Sequence, residues 1–215
     1  MADMSSRSLR RKLRTVAGNS GIEAFCSGYH IHSRPLREVI RNASGKFPDE
    51  SLEREMRVRG KSLTFSPEET EELADMKYGS RDSFGLLTLL FPFVDTRNQF
   101  HIDHVFPTAV FHARKLKQIG LSDDEILHLQ DSKDRLPNLQ LLQGPDNQSK
   151  NDQMPAKWIA ETYKKDEDRK DYISRHMLDG LMTDLNGFEA FYKARRQRLL
   201  ERIETVLNGP VETVR

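Results

Sequence analysis

The chain has 215 residues and a mass of 24.9 kDa, enough for one sizeable domain or two small ones. Its 34 basic and 33 acidic residues leave a net charge of +1, so it is no uniformly basic nucleic-acid coat, and a phosphate-binding surface must come from local clustering. A hydrophobic fraction of 36% with 11 Phe excludes disorder along the whole length, and the single Cys26 excludes a disulfide framework or a cysteine-only zinc ribbon.

Met1 to Arg14 is basic but has no apolar core, which argues against a secretory signal. Arg7, Arg10, Arg11, Lys12 and Arg14 read as a solvated helix or terminus rather than a phosphate-binding arm. Short helices are predicted over Pro35–Asn42 and Leu52–Val58, closed by Gly45 and Gly60. Ser66, Pro67 and Glu69 combine an N-cap, a first-turn proline and a capping-box acid, opening a helix to about Met76. After a break at Lys77–Ser80, Phe84–Leu90 reads as a buried helix stopped by Pro92. The apolar stretch to Val94 is too short to span a bilayer, and a soluble, cytoplasmic protein with no membrane partner is expected.

Val110–Ile119 has helical spacing and ends at Gly120. Ser122 and Glu125 form a capping box for a short helix through Leu129. Lys157–Lys164 is predicted helical, with Trp158 as a core anchor. In the last helix Phe188, Phe191, Tyr192, Leu199, Leu200, Ile203 and Leu207 make an apolar stripe, with Lys193, Arg195, Arg196, Arg198 and Arg202 assigned to the solvated side.

Between these helices lies a segment of another character. Phe100-His101-Ile102-Asp103-His104-Val105-Phe106-Pro107 alternates like a strand, with His101 and Asp103 on one face and His104 on the other. A turn or bulge near His104 would let Asp103 and His104 converge. Leu136–Leu142 is a second strand candidate, Gly144-Pro145-Asp146 a turn, and Asn147 the opening of a helix. Asp103 and the Asn147 amide oxygen suit a hard divalent cation, an imidazole near neutral pKa suits deprotonation of water, and Lys150 suits a phosphate. Together these types describe a one-metal phosphodiesterase. No thiolate accompanies His101, His104 and His112, which argues against zinc; His112 reads as a surface residue. His30, His32, His128 and His176 show no partner in the sequence.

Asp-His-x-x-Pro, Asn-Leu-x-Leu-Leu and Asn-x-x-Lys, with nine residues from Asn138 to Asn147, resemble the HNH (ββα-metal) nuclease signature, including the HNH domains of CRISPR effectors. Tyr78-Gly79-Ser80 and the Phe-x-x-Phe-Tyr-x-x-Arg of the last helix extend the likeness over about Lys77–Leu207. This wider pattern is similar to the C-terminal nuclease domains of GmrSD-type restriction proteins, among them the phosphorothioate-sensing SspE group of anti-phage defence. The resemblance implies an α+β, mainly helical fold around a ββα-metal core at about 100–157. The residue patterns set a helical N-terminal segment at 1–65 ahead of a nuclease domain at 66–210.

Residue by residue, the resemblance makes Asp103 and Asn147 metal ligands, His104 the general base and Asn138 a brace for the loop and the base. Lys150 is placed near the scissile phosphate, and His101 has a possible substrate role. Mg²⁺ or Mn²⁺ is the implied cofactor, and DNA, phage or plasmid duplex held by its backbone, the implied substrate. The expected activity is endonucleolytic cleavage with little sequence preference, as the effector of a larger sensor protein. No P-loop or parallel βαβ pattern of such a sensor is present, so the chain reads as either a C-terminal half or a stand-alone nuclease. The alternative is a catalytically silent DNA- or partner-binding module that keeps the fold.

Overall fold

The computed structural model describes residues 33–44, 48–58, 65–95 and 97–208. The basic Met1–Arg14 stretch, Cys26, His30, His32 and the closing glycines Gly45 and Gly60 lie outside the described residues. The described chain divides into two units, 33–67 with 205–208, and 68–204, where the sequence suggested 1–65 and 66–210. It is mainly helical with one two-stranded antiparallel sheet, an α+β architecture. Among the described residues no helix is long and apolar enough to cross a membrane.

The first unit holds α1 (Ser33–Asn42) and α2 (Asp49–Val58), which pack together and bury Leu36 and Leu52. The Asn208 side chain accepts from the Phe65 N–H at 2.9 Å and donates to the Phe65 carbonyl at 3.1 Å.

In the second unit, α3 (Pro67–Ala74) begins at its proline and stops two residues before the expected Met76. There Met76 N–H turns back to the Leu73 carbonyl, and Lys77 pairs with Arg135 in an isolated β-bridge. The helix α4 (Ser83–Leu90) buries Leu86, Leu87 and Leu90 and leaves Phe84 partly exposed.

β1 (Phe100–His104) pairs with β2 (Leu139–Gln143) in continuous register from Phe100↔Gln143 to His104↔Leu139. Between them come a 3₁₀ turn (Thr108–Phe111), α5 (Ala113–Gln118) and α6 (Asp123–Ser132). The helix predicted over Val110–Ile119 is therefore broken. Phe111 is drawn into the core, and His112 takes an extended conformation whose carbonyl starts α5, leaving its side chain exposed. The capping box of α6 is present, Ser122 N–H donating to Glu125 Oε2 at 2.8 Å, and the helix outlasts the expected Leu129 by three residues.

The second strand is shorter than predicted. Leu136–Asn138 form a 3₁₀ turn because Pro137 has no N–H for a ladder. The helix α7 (Gly144–Lys150) starts directly at Gly144, with Pro145 in its first turn, so the expected separate turn is absorbed into it. Two more helices follow, α8 (Pro155–Thr162) and α9 (Asp166–Arg175), before the long α10 (Phe188–Asn208).

Trp158 anchors the core, fully buried, with its indole N–H on Ser149 Oγ at 2.9 Å. Around it cluster Val105, Phe106, Phe111, Leu142, Tyr172 and the Phe188, Phe191 and Tyr192 rings of α10. Arg195 departs from the expected solvated side. It is wholly buried, with its guanidinium donating to the carbonyls of Pro137 (2.7 Å), Leu139 (2.9 Å) and His176 (3.1 Å) and lying 6.0 Å from the Phe91 and Phe191 ring centres. Arg196 pairs with Glu71 and Asp75, and Arg198 donates to the Met177 and Asp179 carbonyls. Much of the basic character of α10 is thus spent on holding the fold.

Candidate active site

No bulge interrupts β1; the chain changes direction only after His104. The pleat therefore sends the Asp103 and His104 side chains to opposite faces of the sheet, where they meet different side chains.

On one face, His104 Nε2 lies 2.9 Å from Asp134 Oδ1, and the Tyr78 ring sits 4.7 Å from the imidazole at 46°. Burial pushes the Asp134 carboxyl up, but hydrogen bonds from Lys133 and His104 outweigh it and hold the group below the usual carboxylate range. An ionised carboxylate only accepts, so Nε2 carries the proton and Nδ1 keeps the lone pair. Burial also pushes the His104 imidazole below its ordinary value, against the opposing pull of Asp134 and Asp103. His104 is thus a neutral imidazole at pH 7 with its tautomer fixed from behind.

On the other face, Asp103 Oδ2 accepts from Gln140 Nε2 at 2.9 Å and forms an ion pair with Lys150 Nζ at 2.9 Å. Gln140 Oε1 in turn accepts from the Tyr172 hydroxyl at 3.1 Å. Burial drives the Tyr172 phenol well up, so it remains a donor, and that orients the Gln140 amide toward Asp103. Lys150 was expected near a substrate phosphate. It is instead fully buried, its ammonium shared between Asp103 and the His104 carbonyl at 2.7 Å.

Gly144, Asn147 and Lys150 recur at i, i+3 and i+6, one row along α7. Both ends of the row meet β1: a Cβ on Gly144 would lie 3.9 Å from His101 Nε2, and Lys150 reaches Asp103. Asn147 falls between them, partly exposed. His101, Asp103 and Asn147 thus share one side of the sheet, with His104 at the strand end on the other.

Asn138 is fully buried and braces two loops. Its Oδ1 accepts from Phe106 N–H at 2.8 Å, while its Nδ2 donates to the carbonyls of Phe106 (3.1 Å) and Lys133 (2.8 Å). The Lys133 bond fixes the segment that delivers Asp134 to His104.

Sequence reasoning missed Asp134, Gln140 and Tyr78 as partners of the site. Gln140 carried a signal, as a polar residue with a leucine on either side in β2. Asp134 sits in a polar run thirty positions from its histidine, a distance no local spacing encodes.

No family model matches the chain, and no curated protein matches it.

Proposed function

We propose that this chain is an HNH-type (ββα-metal) DNA endonuclease that hydrolyses phosphodiester bonds with a divalent cation. The observation that carries the reading is His104. It stands at the end of the first strand of a strand–strand–helix unit, and its tautomer is fixed by an ionised carboxylate. Asp103 and Asn147 offer one carboxylate and one amide oxygen from β1 and α7, a hard donor set of the kind Mg²⁺ takes alongside waters. The two contacts of Asp103 both fall on Oδ2, so Oδ1 is the oxygen a cation would use.

The protein's own groups then have distinct tasks. His104 Nδ1 removes a proton from water, whose oxygen attacks phosphorus as the bond to the 3′ oxygen breaks. Asp134 stabilises the imidazolium that forms, an arrangement worth ~10²–10⁴-fold. A bound Mg²⁺ or Mn²⁺ supplies charge stabilisation for the phosphate and the departing oxygen. A role in restriction or anti-phage defence, as the effector of a sensor protein acting with little sequence preference, rests on the resemblance of the motifs.

One observation favours a second reading, a silent DNA- or partner-binding module. The Lys150 ammonium already neutralises Asp103, and a divalent ion must share that carboxylate with it. Supercoiled-plasmid conversion with Mg²⁺, Mn²⁺ or EDTA separates the two. Metal-dependent nicking or cutting that His104→Ala and Asn147→Ala both abolish supports the nuclease. DNA binding without cleavage in any metal supports the module.

A further inference from the structure

Six large apolar side chains are exposed among the described residues: Val58, Tyr78, Phe84, Ile119, Leu127 and Met182. Tyr78 is set apart by its place, with its ring against His104 and 49% of the residue still open to solvent. A tyrosine serving only to cover the imidazole would bury its ring; this one keeps a large part outside.

Its backbone is held firmly. Tyr78 N–H donates to the Asp134 carbonyl at 2.6 Å, Lys77 bridges to Arg135, and Leu136 N–H donates to the Met76 carbonyl at 2.8 Å. Gly79 follows in the left-handed region at φ +80°, where a side chain would be strained, and Ser80 N–H closes the turn on the Lys77 carbonyl at 3.1 Å. An aromatic on so fixed a loop loses little freedom when a ligand lands on it.

Two ammonium groups sit on neighbouring residues, each paired to a carboxylate. Lys77 Nζ rests on Asp131 at 2.6 Å with both side chains largely exposed, and Lys133 Nζ rests on the Asp134 carboxylate that holds His104. An exposed ion pair contributes little, so the Lys77 ammonium is readily exchanged onto a phosphate. A solvent-facing ring with ammonium groups on its flanks is the chemistry of a nucleotide-stacking platform.

We infer that Lys77, Tyr78 and Lys133 form a platform for an unpaired nucleotide beside His104, so that the site takes single-stranded or locally opened DNA in preference to intact duplex. In a closed duplex the base faces are stacked on one another and none is offered to a tyrosine; an unpaired base offers one without cost. The inference deepens the nuclease reading and rests on it for the scissile phosphate, but its binding step stands apart from cleavage.

The test is fluorescence anisotropy of a labelled 12-mer single strand and of the same sequence as a closed hairpin, in EDTA, with the full chain. Wild type and Tyr78→Phe should bind the single strand more tightly than the hairpin. Tyr78→Ala should weaken single-strand binding roughly 5- to 100-fold, the scale of one lost base–aromatic stack, and barely change hairpin binding. Tyr78→Leu keeps an apolar cover on His104 and should lose as much, which guards against misfolding of the alanine variant. Equal binding of both DNAs by wild type, or unchanged single-strand binding by Tyr78→Leu, overturns the platform. Plasmid cleavage is read separately. Cleavage with a neutral Tyr78 sinks the platform and leaves the nuclease standing; Tyr78-dependent binding with no cleavage in any metal does the reverse.

Discussion

His104 and Asp134 meet across thirty residues of sequence, Nε2 to Oδ1 at 2.9 Å, and this contact decides which imidazole nitrogen keeps its lone pair. Asp134→Asn keeps the shape but lets the amide present a donor, so the opposite tautomer becomes acceptable. Cleavage should fall by up to ~10⁴-fold, the scale known for swapping an orienting acid for its amide. Circular dichroism and melting temperature should change little. A variant with wild-type turnover would show that Asp134 does not orient the base.

The pH dependence follows from the burial of His104. Burial holds the imidazole below its ordinary value of 6.5, so the neutral form is already the majority at pH 6.5. The acid limb of the kcat/KM profile should have its midpoint below pH 6.5, with a plateau through pH 8. In Asp134→Asn the midpoint should move lower still, because the raising influence of the carboxylate is gone. A limb centred at or above 6.5 would contradict burial as the dominant cause.

Lys150 and Asp103 make a test of cation demand. Removing the ammonium in Lys150→Met leaves a nearly buried carboxylate without its partner, a loss on the order of 3–5 kcal/mol. If Asp103 also serves a divalent ion, Mg²⁺ should restore part of that loss. Its melting temperature should then rise more with Mg²⁺ than that of wild type, and EDTA should reverse the rise. Identical metal responses in the two proteins would separate Asp103 from any cation site.

His176 predicts acid sensitivity of the fold. Its ring stacks on Tyr172 at 4.1 Å and lies 4.7 Å from Phe93. Burial, reinforced by the Arg195 and Arg175 charges, pushes it down to about 3. The native state thus refuses a proton that the unfolded chain accepts near pH 6.5. The contribution is fully present above 6.5 and is lost as pH falls toward 3, at up to ~1.4 kcal/mol per pH unit. Urea titrations of wild type and His176→Phe between pH 7 and about 5.5, above the carboxylate range, should show a shallower decline in the variant.

Arg195 carries a prediction about stability alone. Burial pushes its guanidinium down to about 9, so it is still charged at neutral pH and bonded to three carbonyls. Arg195→Ala strands those carbonyls and opens space beside Phe91 and Phe191. A loss of ~3 kcal/mol or more is expected in chemical denaturation. Arg195→Lys should recover only part of it, since an ammonium cannot reproduce the planar fork.

What the sequence revealed was governed by distance along the chain. The α6 capping box, the start of α3 at Pro67, the alternation of β1 and the Trp158 anchor are all decided within a few residues. By contrast α9 went unpredicted: of its ten residues Tyr172 alone is buried and Ile173 packs partly against the core, too little apolar pattern to mark a helix in a charged run. Arg195 was assigned to the solvated side and Lys150 to a substrate phosphate; only the fold supplies the carbonyls and the carboxylate that draw them in. The candidate site divides the same way. Its motif residues were visible as spacing, while the contacts of Asp134, Gln140 and Tyr78 within it are made through folding alone.

The Asn138 brace has a consequence for what lies between the strands. Phe106 is tied through both its N–H and its carbonyl to the Asn138 side chain, and Val105 N–H donates to the Asn138 carbonyl at 2.7 Å. The excursion through α5 and α6 thus leaves and re-enters the sheet at a single clasp. Pairing of β1 with β2 is set at that clasp and not by the length of chain it encloses. Insertions or deletions at the exposed Gly120 turn should therefore leave the register of Asp103 and His104 untouched, making this segment the natural place for the protein to acquire new surface.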